Sequence, residues 1–186
     1  MVLVSCGDSS AARFTADASR YLLTIDQLES SDFTVDQAAA PVTATTLAGN
    51  DSKTALDLDL YGLAGAASVT YARTIDFATS NGPIEVIDTL SRFATNDGAH
   101  SWFALETKHR DGESGEAPVS AGALGDEAHA DSNLATTADG LQAVQVSLEW
   151  RVANVVVLLQ VRGRYGGTRL DDALTLAHRQ TSTQLR

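Results

Sequence analysis

Several residue types are scarce in this chain of 186 residues, and each scarcity excludes a class of protein. A single cysteine, Cys6, excludes an intrachain disulfide and any all-cysteine zinc or iron–sulfur site. Only two lysines are present, and the formal net charge of −11 repels phosphate backbones, so no nucleic-acid partner is expected. The longest strongly apolar run covers residues 152–161. A membrane-spanning helix needs roughly 20 apolar residues, so this run is too short.

The remaining composition is that of a globular protein. Apolar residues make up 44% of the chain and charged residues 20%, and a chain of this length buries a core without disulfides or metals. We therefore expect a flexible tether over residues 1–12 and a single domain over residues 13–186.

The lone cysteine lies in a short motif, Leu3-Val4-Ser5-Cys6. Leucine at −3 and a small residue at −1 resemble a bacterial lipobox, in which the thiol is acylated and the chain is cut just before it. A small and polar stretch, residues 7–12, follows as a tether would. A signal peptide also needs a basic segment and an apolar segment upstream, and residues 1–5 do not supply them. A start codon placed too late, removal of upstream residues, or a chance match would each account for this.

Hydrophobic periodicity predicts an α+β fold, with an antiparallel β-sheet, helices packed on one side, and a C-terminal β-hairpin followed by a helix. The clearest part is the hairpin: strand 144–151, a turn at Ala153-Asn154, and a β-branched run, Val155 to Val161, expected to be a central strand buried on both faces. Helices are predicted near residues 17–28, from Asn96 or Asp97 to about Lys108, and from Thr168 onward.

Other segments give weaker patterns. Strands are predicted over residues 67–75 and 84–93, and residues 56–60, with leucine at alternate positions, are expected to be a loop leading into a strand. The glycine-rich and acidic stretch from Arg110 to Leu124 is expected to be a long loop, and either a recognition surface or simply mobile.

No residue pattern identifies a catalytic, metal or cofactor site. A Gly-x-Ser-x-Gly turn and a phosphate-binding loop are absent. The run Asp126 to Asp131, which contains His129, is more typical of a solvated loop or strand start than of a metal site. Trp102 and Trp150 are expected in the core. Arg73 and Arg151 lie in or beside strands, where they face solvent or reach an acidic partner or an anionic ligand.

Four segments carry a resemblance to a known family: Tyr21–Thr24 with Gln27–Leu28, Arg92–Ala94 with Gly98–Ala99, Leu124–Ala128, and Trp150–Val156. Over about residues 20–185 the chain resembles bacterial extracytoplasmic lipoproteins, the extracellular sensor domains attached to actinobacterial Ser/Thr kinases, and the broader PsbP/Mog1-like sandwich. The glycine often seen in the hairpin turn is Ala153 here. Kinase-attached members carry disulfides, which this chain cannot form. The resemblance implies binding or scaffolding and transfers no catalytic residue.

These observations favour a non-enzymatic, membrane-tethered extracytoplasmic binding or accessory lipoprotein. Its anchor would be lipid on Cys6, its ligand-binding residues are unknown, and its partner would be an unidentified protein or small molecule. Two alternatives stay open: a peripheral structural subunit of a membrane protein complex, and an enzyme such as a hydrolase whose site is assembled from distant residues. A cleft with converging histidine and carboxylates favours the enzyme, and a flat apolar patch favours the subunit.

The lipobox predicts a modified N-terminus. If the gene encodes a signal peptide upstream, the mature chain should begin at acylated Cys6, and two or more acyl chains should anchor it stably. Intact-mass measurement of native material tests this. An unmodified chain that still carries residues 1–5 would contradict the prediction.

Overall fold

A computed structural model describes residues 12–112 and 116–186. Within them lie seven strands: β1 (Phe33–Pro41), β2 (Leu63–Arg73), β3 (Glu85–Phe93), β4 (Glu116–Val119), β5 (Glu127–Thr136), β6 (Gln142–Val152) and β7 (Val155–Arg164). The α-helices are α1 (Ala44–Leu47), α2 (Ser52–Leu60), α3 (Asn96–Gly112) and α4 (Leu170–Gln184). Three 3₁₀ turns cover Ala18–Tyr21, Ile25–Gln27 and Phe77–Thr79.

The strands form one antiparallel sheet in the order β1-β2-β3-β7-β6-β5-β4. β7 is central, since it pairs with β3 on one side and with β6 on the other. This confirms the predicted α+β class, the C-terminal hairpin with its following helix, and the central position of Val155 to Val161.

The helices cover both faces of the sheet, whereas the sequence predicted helices on one side. α4 and the first two 3₁₀ turns pack on the face that carries Leu90 and Val157. α3 packs on the opposite face, where Trp102 meets Phe93 and Val156. The reason is the composition of β7: apolar residues point to both of its faces, and each apolar face must be removed from water.

The hairpin turn also holds the N-terminal end of the described chain. Ala153 takes a left-handed conformation with φ 51°, which glycine adopts more readily than a residue with a side chain. Asn154 is fully buried, and its Oδ1 accepts hydrogen bonds from the backbone N–H groups of Arg13 and Phe14 at 2.9 and 2.8 Å. Its Nδ2 donates to the carbonyl oxygens of Phe14 and Phe93. The chain therefore enters the domain beside this turn.

The helix predicted near residues 17–28 is instead a pair of 3₁₀ turns. Between them, the Leu23 N–H donates to Oδ2 of buried Asp88 at 2.6 Å, and the Tyr71 hydroxyl donates to the Leu23 carbonyl at 2.8 Å. Gln180 of α4 donates to the same Asp88 oxygen at 2.9 Å. The backbone N–H and carbonyl groups of Leu23 thus form long-range hydrogen bonds in place of those of an α-helix. Burial raises the pKa of Asp88 to about 7 against the lowering effect of these hydrogen bonds.

Two further predictions of local structure were wrong. Residues 56–60 belong to α2, in which Leu58 is buried while Leu56 and Leu60 are exposed, so the alternating leucines do not mark a strand. The expected loop from Arg110 to Leu124 begins inside α3, which runs to Gly112, and contains β4, which pairs with β5.

No helix in the described part of the chain is long and apolar enough to cross a membrane. Cys6 and its motif lie outside the described residues. The division into a tether over residues 1–12 and a domain over residues 13–186 stays a prediction.

The central position of β7 predicts the effect of a charge there. Val157→Asp places a carboxylate between Leu90 and Trp150, its register partners on the neighbouring strands, and should destabilise the domain by about 3–5 kcal/mol. Val35→Asp on edge strand β1, where the side chain is 49% exposed, is the matched control and should cost less than about 1 kcal/mol. Denaturant unfolding measures both, and equal losses would contradict a central β7.

Candidate functional site

One stripe of helix α3 changes from apolar to charged along its length. Trp102, Glu106 and Arg110 lie four residues apart, so they share the face that packs on the sheet. Trp102 is buried with Phe93 and Val156, whereas Arg110 lies beside β5 and β6. The apolar turn fixes the helix, and the following two turns present ionic groups to the sheet.

The sheet beneath these turns is polar. On β6, Ser147 and Glu149 alternate with the core residues Leu148 and Trp150, and Asp131 of β5 lies opposite Ser147. The sequence predicted a half-buried β6, but α3 covers its polar side as well. Ser147, Glu149 and Asp131 are consequently almost fully buried.

Arg110 is surrounded by three carboxylates. Its guanidinium nitrogens lie 3.7 Å from Asp131 Oδ2, 3.7 Å from Glu149 Oε2 and 4.0 Å from Glu106 Oε2. Arg110 Nε approaches Glu149 Oε2 without a hydrogen bond, since neither atom has a hydrogen-bond partner. A single guanidinium therefore lies near three acidic side chains in a location that α3 shields from solvent.

This arrangement favours the protonated form of Glu149. Burial is the main cause that raises its pKa well above the ordinary value, and the charges of Glu106 and Asp131 add to it. Arg110 acts in the opposite direction and does not outweigh them. Glu149 is thus a buried carboxyl group whose charge depends on what lies next to it.

Two adjacent cavities lie beside the cluster. The polar cleft, of about 370 Å³, lies between the α1–α2 region and α3, over the sheet. Its lining includes Leu47, Asp51, Thr54, Glu106, His109, Arg110, Gln145 and Gln160. The inner chamber, of about 40 Å³, is lined by Thr89, Ser91, Trp102, Glu149 and others. Leu47 and Glu106 line both cavities, so the chamber is adjacent to the cleft. A cleft of this size is typical of small-molecule sites.

A cavity of about 390 Å³ lies on the α4 side of the sheet, near Arg73 and Arg169. Arg73 donates to the carbonyl oxygens of Asn81 and Pro83, both at 3.2 Å, and pairs with Asp32 at 3.4 Å. Because the Arg73 guanidinium is already bonded to groups of the protein, we assign the candidate site to the polar cleft.

The residues singled out in the sequence have mostly structural roles. Arg151 pairs with Glu127 and with Asp126, so both arginines reach acidic partners. The run Asp126 to Asp131 is dispersed: His129 approaches Asp111, and Asp131 approaches Arg110. Across residues 12–112 and 116–186, no group of three or more histidine, cysteine, aspartate or glutamate side chains is placed to hold a metal ion. Trp102 and Trp150 are buried, as predicted.

Sequence reasoning missed Glu149 as a site residue. Two sequence patterns bear on its burial. Trp102, Glu106 and Arg110 share one face of α3, and the neighbouring strand β7 is apolar on both faces, so helices are expected on both sides of the sheet. Together they place the polar side of β6 under a helix. What the sequence did not reveal is which helix covers it.

Comparison with known proteins gives a structural likeness and no match in sequence. No protein-family model matches the chain, and no curated protein sequence matches it. The crystal structure of the extracellular domain of PknH from Mycobacterium tuberculosis has a similar fold, with a TM-score of 0.63 and 12% identity. The match covers 92% of this chain and 97% of that chain. It agrees with the predicted resemblance to kinase-attached extracellular domains, while the lipoprotein and PsbP/Mog1-like parts stay predictions.

The buried carboxyl predicts a pH dependence of stability. Because the folded-state pKa of Glu149 is raised, the folded chain keeps a proton that the unfolded chain loses, and stability should fall as pH rises above about 4.5 toward the folded-state pKa. Glu149→Gln should reduce this fall in stability and be at least as stable as the parent at pH 7.5. Asp88, whose pKa is also raised, contributes the same pH dependence to both proteins. Denaturant unfolding at pH 5 and pH 7.5 tests this. An unchanged pH dependence in the variant would show that Glu149 is ionised in the folded protein.

Proposed function

We propose that this chain is a non-enzymatic, membrane-tethered extracytoplasmic domain that binds a small polar ligand in the cleft beside α3. The observation that carries the proposal is the fold likeness to the extracellular domain of PknH, which extends over nearly the whole of both chains. Shared fold alone does not transfer a ligand. The ligand site is therefore argued from the cleft itself.

The cleft offers hydrogen-bonding groups rather than an apolar surface. The side-chain amides of Gln145 and Gln160 form its floor, and Asp51 and Thr54 line its α2 side. Gln145 also accepts a hydrogen bond from Arg162 Nε at 2.6 Å, which fixes its orientation. Pre-positioned polar groups of this kind select a ligand by its hydrogen-bonding pattern.

An enzyme remains the second candidate, since Glu149 combines a raised pKa with a neighbouring Glu106, as an acid–base pair requires. Access argues against it. The Glu149 side chain is 3% exposed, and the chamber beside it has about 40 Å³, which admits a water-sized group but not a scissile bond with its substituents. The peripheral-subunit alternative has less support. Leu56 and Leu60, one turn apart on α2, are exposed by 63% and 81%, and two side chains make a small patch.

Binding in the cleft predicts local protection from hydrogen exchange. The full chain should exchange more slowly at residues 47–54 and 106–110 in a detergent extract of the native cell envelope than in buffer, because a bound ligand joins these two walls. Gln145→Ala combined with Gln160→Ala should abolish the added protection.

Gln37→Ala on exposed strand β1 is the control and should keep the protection. Equal exchange in extract and in buffer would count against a ligand in this cleft. Protection that persists in the double variant would place the partner elsewhere on the domain.

A further inference from the structure

Glu149 lacks the partner that its burial demands. Its side chain is 3% exposed, yet Oε2 accepts no hydrogen bond, and the nearest cation, Arg110 Nε, stands 3.7 Å away. A buried carboxyl oxygen without a hydrogen bond is destabilising, because it has lost its water and no protein donor replaces it. Such an atom, when it lines a cavity, marks a place where a donor from outside fits.

The inner chamber has the size and chemistry for one small donor. About 40 Å³ accommodates a single water- or ammonium-sized group. Glu149 and Glu106 supply carboxyl oxygens, Thr89 and Ser91 supply hydroxyl oxygens, and Trp102 forms an aromatic wall. Every polar side chain named here offers an acceptor.

We infer that the polar cleft binds a ligand bearing a primary amine, whose ammonium group enters the inner chamber and donates to Glu149 and Glu106. The inference rests on the proposed ligand site and names the chemical class of that ligand. The rest of the molecule would lie in the larger cleft, over Gln145 and Gln160.

An ammonium group fits better than other cations. It carries three N–H donors on a compact centre, whereas a guanidinium spreads its donors over a planar fork. A quaternary ammonium has no N–H group to satisfy the carboxyl oxygens. An ammonium beside Glu149 would lower the pKa of this carboxyl, because a nearby positive charge stabilises the carboxylate.

Proton release follows from the same geometry. The charged and titratable groups that face Glu149 are Glu106 and Arg110 on α3 and Asp131 and His129 on β5. When an ammonium pairs with Glu149, the carboxyl should ionise and release its proton. At constant pH, the measured binding heat should then depend on the ionisation enthalpy of the buffer.

Isothermal titration calorimetry of the full chain with 1,5-diaminopentane tests the inference. We expect one site per chain and a heat that differs between phosphate and Tris buffers at pH 7. Pentane-1,5-diol, which has the same length without charge, and tetramethylammonium, which has charge without N–H groups, should not bind.

Two variants identify the site. Glu149→Gln should weaken diamine binding by at least about tenfold and remove the buffer dependence, as loss of a charge-assisted hydrogen bond predicts. Glu106→Gln is the second variant, in case the first fails to fold. The double variant Asp57→Asn with Asp59→Asn removes acids from α2, away from the chamber, and should bind like the parent, which excludes attraction by net charge alone.

Binding of the diol as tightly as the diamine, or unchanged diamine affinity in Glu149→Gln, would overturn the inference and assign a water molecule to the chamber. The extract experiment separates this failure from that of the proposed function. If cleft residues are protected in extract while the diamine does not bind, the cleft holds a ligand of another class.

Discussion

The fold depends on a strand that is apolar on both faces. β7 carries valine or leucine at six of its ten positions, with five in a row over residues 155–159, so neither face of the sheet is left to water at its centre. α4 covers one face and α3 the other, and the neighbouring strands acquire two buried sides as a result. Polar residues on those strands are therefore enclosed even where their alternating pattern is typical of an exposed face.

Each face of the sheet encloses one carboxyl group with a raised pKa. Asp88 lies under α4 and orders the N-terminal segment through Leu23, whereas Glu149 lies under α3 beside a cavity. Burial is the main cause of both shifts. The difference lies in the partners: two donors from the protein reach Oδ2 of Asp88, and none reaches Oε2 of Glu149. Asp88 organises the fold through its bonded Oδ2, although its Oδ1 has no hydrogen-bond partner. The unbonded oxygen of Glu149 belongs to a residue that lines a cavity, and this combination points to a ligand.

Sequence patterns identified the elements whose signal is local. The alternation over β6, the β-branched run of β7 and the turn at Ala153-Asn154 follow from strand geometry, and all three were predicted correctly. The first predicted helix was wrong because a side chain 65 residues away takes its central N–H group. The leucines of α2 alternate by chance within a helix that buries one of them. Glu149 was missed because its burial depends on where α3 packs, which its own strand does not reveal.

Under the proposed function, the N-terminal attachment limits how far the hairpin end of the sheet can lie from the membrane. Asn154 fixes Arg13 and Phe14 at the hairpin end of the sheet. Cys6 is six residues from Ala12, so an anchor there lies within about 22 Å of that end. Gln160 lies five residues along β7 from Val155, roughly 17 Å from the turn. A lipid on Cys6 would thus keep the hairpin end within about 22 Å of the membrane. Because this reach exceeds the roughly 17 Å between the turn and Gln160, the tether would leave the polar cleft free to face the solution.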